Sequence, residues 1–341
     1  MSESLTLPGF DSAADASSVK AVSPTPARGE SIGQSSPRLF IGTSSWSFPG
    51  WNGIVFDGAY TQAQLARDGL RAYAAHPALN TVSIDRTFYR SVPAEAFDEY
   101  RRSVDADFRF VVKADRLCTT AADERGGVNE RFLNPEFARR HVIGPALDGL
   151  RDQLGALVFQ FPPQRLDAAG GAHWFFARLN DFFAALPVGP TYAIEFRDRG
   201  WLTADYRKVL ESQTVRHCIS IHPRMPTART QWRFASATHG PTIVRWNLGH
   251  GLGYARAKSL YAPFDRLAAP DEPTRRELAH ICTRSIAFDY PAFVTINNKA
   301  EGSAPLSAMA LREAIDAVND QHHPNNQSSE RGSAHERQYP R

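Results

Sequence analysis

The stretch "LFIGTSSW", Leu39 to Trp46, excludes one common α/β fold and opens the way to another. Leu39–Thr43 reads as a short, mostly apolar strand. In an open, doubly wound sheet that binds dinucleotides, the first strand runs into G-x-G-x-x-G. Here it runs into G-T-S-S-W and then "SFPGW", which has neither helical nor strand periodicity. The dinucleotide fingerprint is missing, so the number and spacing of the remaining strands must choose the architecture.

Seven further β-rich runs follow: Thr81–Phe88, Phe108–Ala114, Ala156–Phe161, Thr191–Phe196, Val215–Ile221, Thr242–Asn247 and Ala292–Asn298. Helical patterns begin at Thr61, Ala94, Pro135, His173, Thr203, Pro273 and Ser307, while Pro223–Gly240 shows no clear helix. Strands alternating with helices pair in parallel through crossovers. Eight such units over roughly 280 residues suit an α/β fold of the (β/α)8 TIM-type barrel class, usually about 250 residues long. One barrel domain is expected over 38–319. Residues 1–37 and 320–341 read as disordered tails, because they carry too little apolar surface to offset ordering entropy.

Side-chain parity locates the chemistry. Alternate strand residues face opposite sides. Ser83, Asp85 and Thr87 oppose Val82 and Ile84; Lys113 opposes Phe110 and Val112; Gln160 opposes Phe159 and Phe161. Glu195 and Arg197 oppose Ile194 and Phe196; Ser220 and His222 oppose Ile219 and Ile221; Arg245 and Asn247 oppose Val244 and Trp246. Apolar faces should meet the helices and polar faces the barrel interior. The polar residues cluster late in their strands, at the C-terminal mouth where barrel enzymes hold their active sites.

Composition narrows the partners. The net charge of +3 is far from the bias of a dedicated nucleic-acid binder. Cys118, Cys218 and Cys282 show no C-x-x-C spacing, which suits a reducing compartment. The first residues, "MSESLTLPGF", lack a basic and then apolar leader, and no apolar run reaches the ~18 residues of a membrane span. A cytoplasmic protein with no membrane partner is expected. His322 and His323 are either metal ligands or part of a solvated tail.

The pieces "IGTSSWSFPGWNG", "NTVSIDRTFYRSVP", "FRFVVKA", "QLGALVFQFPP", "AIEFRDRGW", "TIVRW" and "INNKAEGSAPLSA" closely resemble one family, domain of unknown function 72, the YecE-like proteins. They follow the family order across most of Leu39–Val318. The resemblance implies a TIM-type barrel and supplies no assigned reaction. It carries over Gly42, Thr43, Trp46, Trp51, Thr87, Phe88, Tyr89, Lys113, Gln160, Pro162, Pro163, Glu195, Arg197, Trp201, Arg245, Asn297, Asn298 and Gly302. Ser83, Asp85, Arg86, Asp198, Asn247, Leu248 and Lys299 depart from the pattern. A Glu and a His are lost among them, which implies a shifted substrate or an inactive relative.

Lys113, Arg197 and Arg245 would bring three cations to one mouth, where Arg offers a planar fork and Lys a point charge. With Gln160, Asn247, Asn297 and Asn298 as neutral donors, and Thr43, Ser44, Trp46 and Tyr89 beside them, the site suits a small oxygen-rich anion, phosphorylated or sugar-like. Glu195 is the leading acid/base candidate, with Asp85 beside it, for hydrolase- or isomerase-like chemistry. Three cations would oppose a divalent ion, so no metal or other cofactor is expected. The same charges could instead pair with one another inside an inert network. Trp46, Trp51, Phe88, Tyr89 and Trp201 either stack on a ligand or pack as a lid. The glycines of "GHGLG", Gly249–Gly253, could cradle a phosphate with His250 among them, or form a plain loop. Cys118 is either a thiolate stabilised near Lys113 or an inert small residue. Nucleotide or nucleic-acid binding, and a degenerate interaction scaffold, are the alternative functions.

Overall fold

A computed structural model describes residues 19–23, 36–123, 125–164, 171–249 and 251–322. Its parallel strands close a barrel in sequence order: β1 (Leu39–Thr43), β2 (Thr81–Ile84), β3 (Arg109–Lys113), β4 (Leu154–Phe161), β5 (Tyr192–Phe196), β6 (Arg216–Ile221), β7 (Thr242–Trp246) and β8 (Ala292–Ile296). β8 pairs with both β7 and β1, so the sheet has no open edge. Around it run α1 (Gln62–Ala74), α2 (Ala94–Arg102), α3 (135–150, with a π-turn at Arg139–Ile143), α4 (Gly171–Ala184), α5 (Ala204–Gln213), α6 (Ala228–Ala235), α7 (Tyr254–Tyr261), α8 (Glu272–Ala287) and α9 (Ala304–His322). The chain is a (β/α)8 TIM-type barrel. Among the described residues no helix is long and apolar enough to cross a membrane.

Local signals explain where elements start and stop. α1 opens on a capping box in which Thr61 accepts from the Gln64 N–H and the Gln64 side chain accepts from the Thr61 N–H. β2 ends four residues before the expected Phe88. Asp85–Phe88 turns instead as a 3-10 segment, fastened by Thr87 Oγ1 at 2.6 Å from the Ile84 carbonyl oxygen. The stretch Pro223–Gly240 does contain a helix, α6. Its two turns are too short to show a stripe, but Thr227 caps it and buried Gln231 ties it to β6. Gln231 exchanges two hydrogen bonds of 2.9 Å with the Ser220 backbone, as a neighbouring strand would.

Two tail expectations need adjusting. Residues 19–23 fall in the expected disordered tail, yet Ala21 bridges Phe56 and Val22 N–H donates to Val55. Burial of Val19 supplies the apolar contact that overall composition conceals. α9 also continues to His322, beyond the expected boundary at 319. The His322 side chain, His323 and His250 lie outside the described residues, so the metal and phosphate-loop readings built on them are untouched.

Inside the barrel the lower layers are apolar. Phe40 stacks on Phe293 with centroids 4.8 Å apart, and Val111, Ala156, Val158, Ala193, Cys218 and Ile243 complete the plug. The plug floors the mouth and keeps the charges above it in a low-dielectric setting. At Gly42 the missing side chain makes room for a neighbour. A Cβ there would stand 1.7 Å from the Thr81 carbonyl oxygen. The Tyr73 hydroxyl sits against the same place, accepting from the Thr43 N–H and donating to Thr81 O, each at 2.9 Å. Tyr73 thereby straps β1 to β2 where their ladder is short.

Candidate active site at the barrel mouth

Above the plug, inward positions of different strands carry polar groups that converge as parity requires. Glu195, at the end of β5, is fully buried. Its Oε1 lies 2.8 Å from Arg197 Nε and accepts from Ser220 Oγ and Asn247 Nδ2, each at 3.0 Å. Its Oε2 lies 3.0 Å from Arg245 Nε, close in distance but off the hydrogen-bonding axis. Arg245, on β7 and 1% exposed, spans the barrel. It donates to Ser83 Oγ at 2.6 Å and Asp85 Oδ2 at 2.7 Å, and Ser83 in turn donates to Asp85 Oδ1 at 2.6 Å. Asp85–Arg245–Glu195–Arg197 is thus one continuous chain of alternating charge.

Burial alone would push both carboxylates up. At Glu195 the positive charges of Arg197, Arg245 and Lys113, with the Ser220 hydrogen bond, more than offset it. At Asp85 the same is done by Arg245 and Lys113 with the Ser83 hydroxyl. Both groups are held below their ordinary values and are ionised at neutral pH. Arg245 is raised, because Asp85 and Glu195 outweigh the burial that opposes its charge.

Lys113 stands apart. It is 7% exposed at the end of β3, yet its side chain makes no hydrogen bond or ion pair among the described residues. Its Nζ lies 3.5 Å from the centre of the Phe88 ring. Burial brings its pKa down to about 8, against the opposing pull of Asp85 and Glu195. Gln160, two strand positions above Val158 and paired in register with Glu195, likewise makes no side-chain hydrogen bond among the described residues. His222, just past β6, is brought down to about 4, first by burial and then by Arg197, so it is neutral at pH 7. Among the described residues no three His, Cys, Asp or Glu side chains stand where they could hold a metal together.

The family model described as "Protein of unknown function DUF72" matches residues 40–331. The chain belongs to the DUF72 family. It is 21% identical over 295 residues to the UPF0759 protein YunF of Bacillus subtilis (strain 168), covering 82% of this chain and 95% of that one. Two DUF72 crystal structures share its fold. TM1631 of Thermotoga maritima MSB8 has a TM-score of 0.58 and 20% identity, covering 82% of this chain and 99% of that one. EF0366 of Enterococcus faecalis V583 has a TM-score of 0.55 and 16% identity, covering 82% and 95%.

In this DUF72 barrel several residues expected at the mouth are used elsewhere. Thr43 faces the helices, its hydroxyl on Tyr73 and the Ser45 carbonyl. Trp46 is buried edge-on to Tyr100, and Trp51 is wholly buried with Nε1 donating to Asn298 Oδ1 at 3.1 Å. Asn298 therefore fastens the first loop and caps α9 through the Ala304 N–H. Trp201 packs on Phe175 and Phe176. Tyr89 is 74% exposed and touches Phe88 edge-on. Ser44 accepts from Asn297 Nδ2 at 2.8 Å, and Asn297 Oδ1 in turn meets the Lys299 backbone N–H and Nζ. The Gly249 N–H donates to the Lys299 carbonyl, so it is not turned toward a ligand. Burial, followed by Asp115, pushes the Cys118 thiol up, which removes the stabilised-thiolate reading. Tyr254 and Phe264, which flank Lys299 Nζ, carried no sequence signal that would have placed them there. A groove of about 720 Å³ between α6, α8 and α9 is lined by Trp232, Ile281 and Val318 and by none of the mouth residues.

Proposed function

We propose that the C-terminal mouth binds a small, oxygen-rich anion, phosphorylated or sugar-like, and that the chain is an enzyme acting on it. One observation carries the reading. Three cations face two carboxylates, and geometry assigns both carboxylates to the arginines. Lys113 is left as a mostly buried positive charge with no ion pair among the described residues. Burying a charge without a partner is costly, so such a site favours an incoming anion. Gln160, on the neighbouring strand, adds an amide with no side-chain hydrogen bond among the described residues. In this reading Glu195 and Asp85 hold the arginines in place, and the acid/base role first assigned to Glu195 passes to a group whose charge can change near neutrality.

Calorimetric titration with inorganic phosphate tests this. The wild-type chain is expected to bind, with affinity falling as salt rises. Lys113→Gln is expected to weaken binding by about tenfold or more, the loss of roughly 1.4 kcal/mol or more. Tyr89→Ala, at the exposed rim, should leave binding unchanged. Equal affinity in Lys113→Gln, or no wild-type binding at millimolar phosphate, would remove the reading.

A further inference from the structure

The chain takes its positive charge almost wholly from arginine. Of 39 basic residues only five are lysine: Lys20, Lys113, Lys208, Lys258 and Lys299. Among buried cations elsewhere Arg216 and Arg312 follow the same habit, and Lys299 departs from it. Arginine also holds the two carboxylates of the mouth. Lys113 is a buried mouth position without an ion pair among the described residues, and a lysine there is therefore informative. If only fixed charge were needed there, arginine would supply it. Lysine supplies something arginine cannot: an amine that can shed its proton and attack carbon.

The surroundings suit that use. Lys113 Nζ is kept off the carboxylates, which are engaged by Arg197 and Arg245. It lies over the Phe88 face, with the apolar plug beneath it. Desolvation and neighbouring cations are the two conditions under which a lysine becomes nucleophilic near neutral pH. Lys299, also buried, lacks this setting, since its Nζ is committed to Asn297 Oδ1 and the Tyr254 ring.

We propose that Lys113 is a covalent centre, whose amine condenses with the carbonyl group of a small anionic aldehyde or ketone to form an imine. This rests on the anion-pocket reading above and names the substrate class. The Nζ lone pair attacks the carbonyl carbon, forming the C–N bond as the C=O π bond opens. The oxygen then leaves as water with the two amine hydrogens. A proton taken up from solvent makes the imine cationic, an electron sink for breaking a bond at the adjacent carbon. No oxidant or reductant is consumed.

Borohydride trapping decides it. The full chain is incubated with glyceraldehyde 3-phosphate, dihydroxyacetone phosphate or pyruvate at pH 8, reduced with sodium borohydride, and mapped by peptide mass. With the pKa of Lys113 at about 8, roughly half of it is the free amine, against under about one per cent of an ordinary lysine. At least one probe should therefore add its mass less one oxygen to Lys113, at least about tenfold above any exposed lysine. Excess inorganic phosphate should suppress that adduct. Lys113→Arg should abolish it. No Lys113 adduct from any of the three probes, or equal labelling of all five lysines, would overturn the imine. If wild type still binds phosphate in that case, the anion pocket survives. Should Lys113→Arg not fold, wild-type labelling that fails to rise as pH passes through about 8 also overturns the proposal.

Discussion

Replacing Arg245 by methionine is expected to lower the unfolding free energy by about 3–5 kcal/mol at neutral pH, the range for removing one partner of a buried ion pair. Arg245 is 1% exposed and serves Asp85, Glu195 and Ser83 at once. Without it, among the described residues, the Asp85 side chain keeps only the Ser83 hydroxyl as a hydrogen-bond partner, and Glu195 keeps only Arg197 as an ion-pair partner. Methionine fills much of the volume, so the loss is electrostatic more than steric.

The pH dependence separates that cause from simple misfit. In the wild type both carboxylates titrate below their ordinary values of 3.8 and 4.5, because the cations outweigh the burial that opposes ionisation. Their contribution is complete above those values and is lost as pH falls through the lower folded-state values. In Arg245→Met burial is no longer outweighed to the same degree, and the orphaned carboxylates move up. The variant then gains stability by taking up protons on mild acidification, while the wild type does not. The deficit should therefore shrink between pH 7 and pH 5 in denaturant titrations. Adding Asp85→Asn and Glu195→Gln should restore most of the loss at pH 7. A deficit below about 1 kcal/mol, or one that does not change with pH, would show the network to be marginal to stability.

What the sequence could and could not reveal follows from how far each determinant reaches. The barrel is written locally. Each strand carries its own punctuation and two-residue alternation, and that same alternation aims Lys113, Gln160, Glu195, Ser220 and Arg245 inward. Pairing is different. That the four charges of β3, β5 and β7 could serve one another was legible, but not that the arginines would take both carboxylates. That outcome depends on fork geometry and on Asp85 arriving from a 3-10 turn rather than a strand, 160 positions from Arg245. The first loop posed the same problem. Its hydroxyls and tryptophans read equally well as ligand contacts or as a lid. The deciding bond, Trp51 to Asn298, joins residues 247 positions apart. Tyr73 is hidden for a related reason, since nothing in an amphipathic helix announces that one buried hydroxyl will bridge two strands.

Lys113→Met should stabilise the protein by about 2 kcal/mol at pH 7 while removing anion binding. A lysine whose pKa falls from 10.5 to about 8 on folding carries an unfavourable charge below that value, worth roughly 3 kcal/mol at 1.36 kcal/mol per pKa unit. Contact with the Phe88 face gives back about 1 kcal/mol of this. Methionine keeps an unbranched chain and a favourable sulfur–aromatic contact with the same ring. The sign with pH is fixed by linkage. The unfolded chain holds its lysine proton up to about 10.5, whereas the folded chain releases it near 8. Wild-type stability should thus climb as pH rises from 8 to 10.5, and the advantage of Lys113→Met should fade over that interval. A midpoint of thermal unfolding raised by about 4 °C at pH 7, converging with wild type toward pH 10, is the expected result. A variant less stable than wild type at pH 7 would mean that Lys113 has a compensating partner and that its charge is structural. A more stable one would mean that the fold carries a destabilising amine at the place where a ligand arrives, a cost that function explains and folding does not.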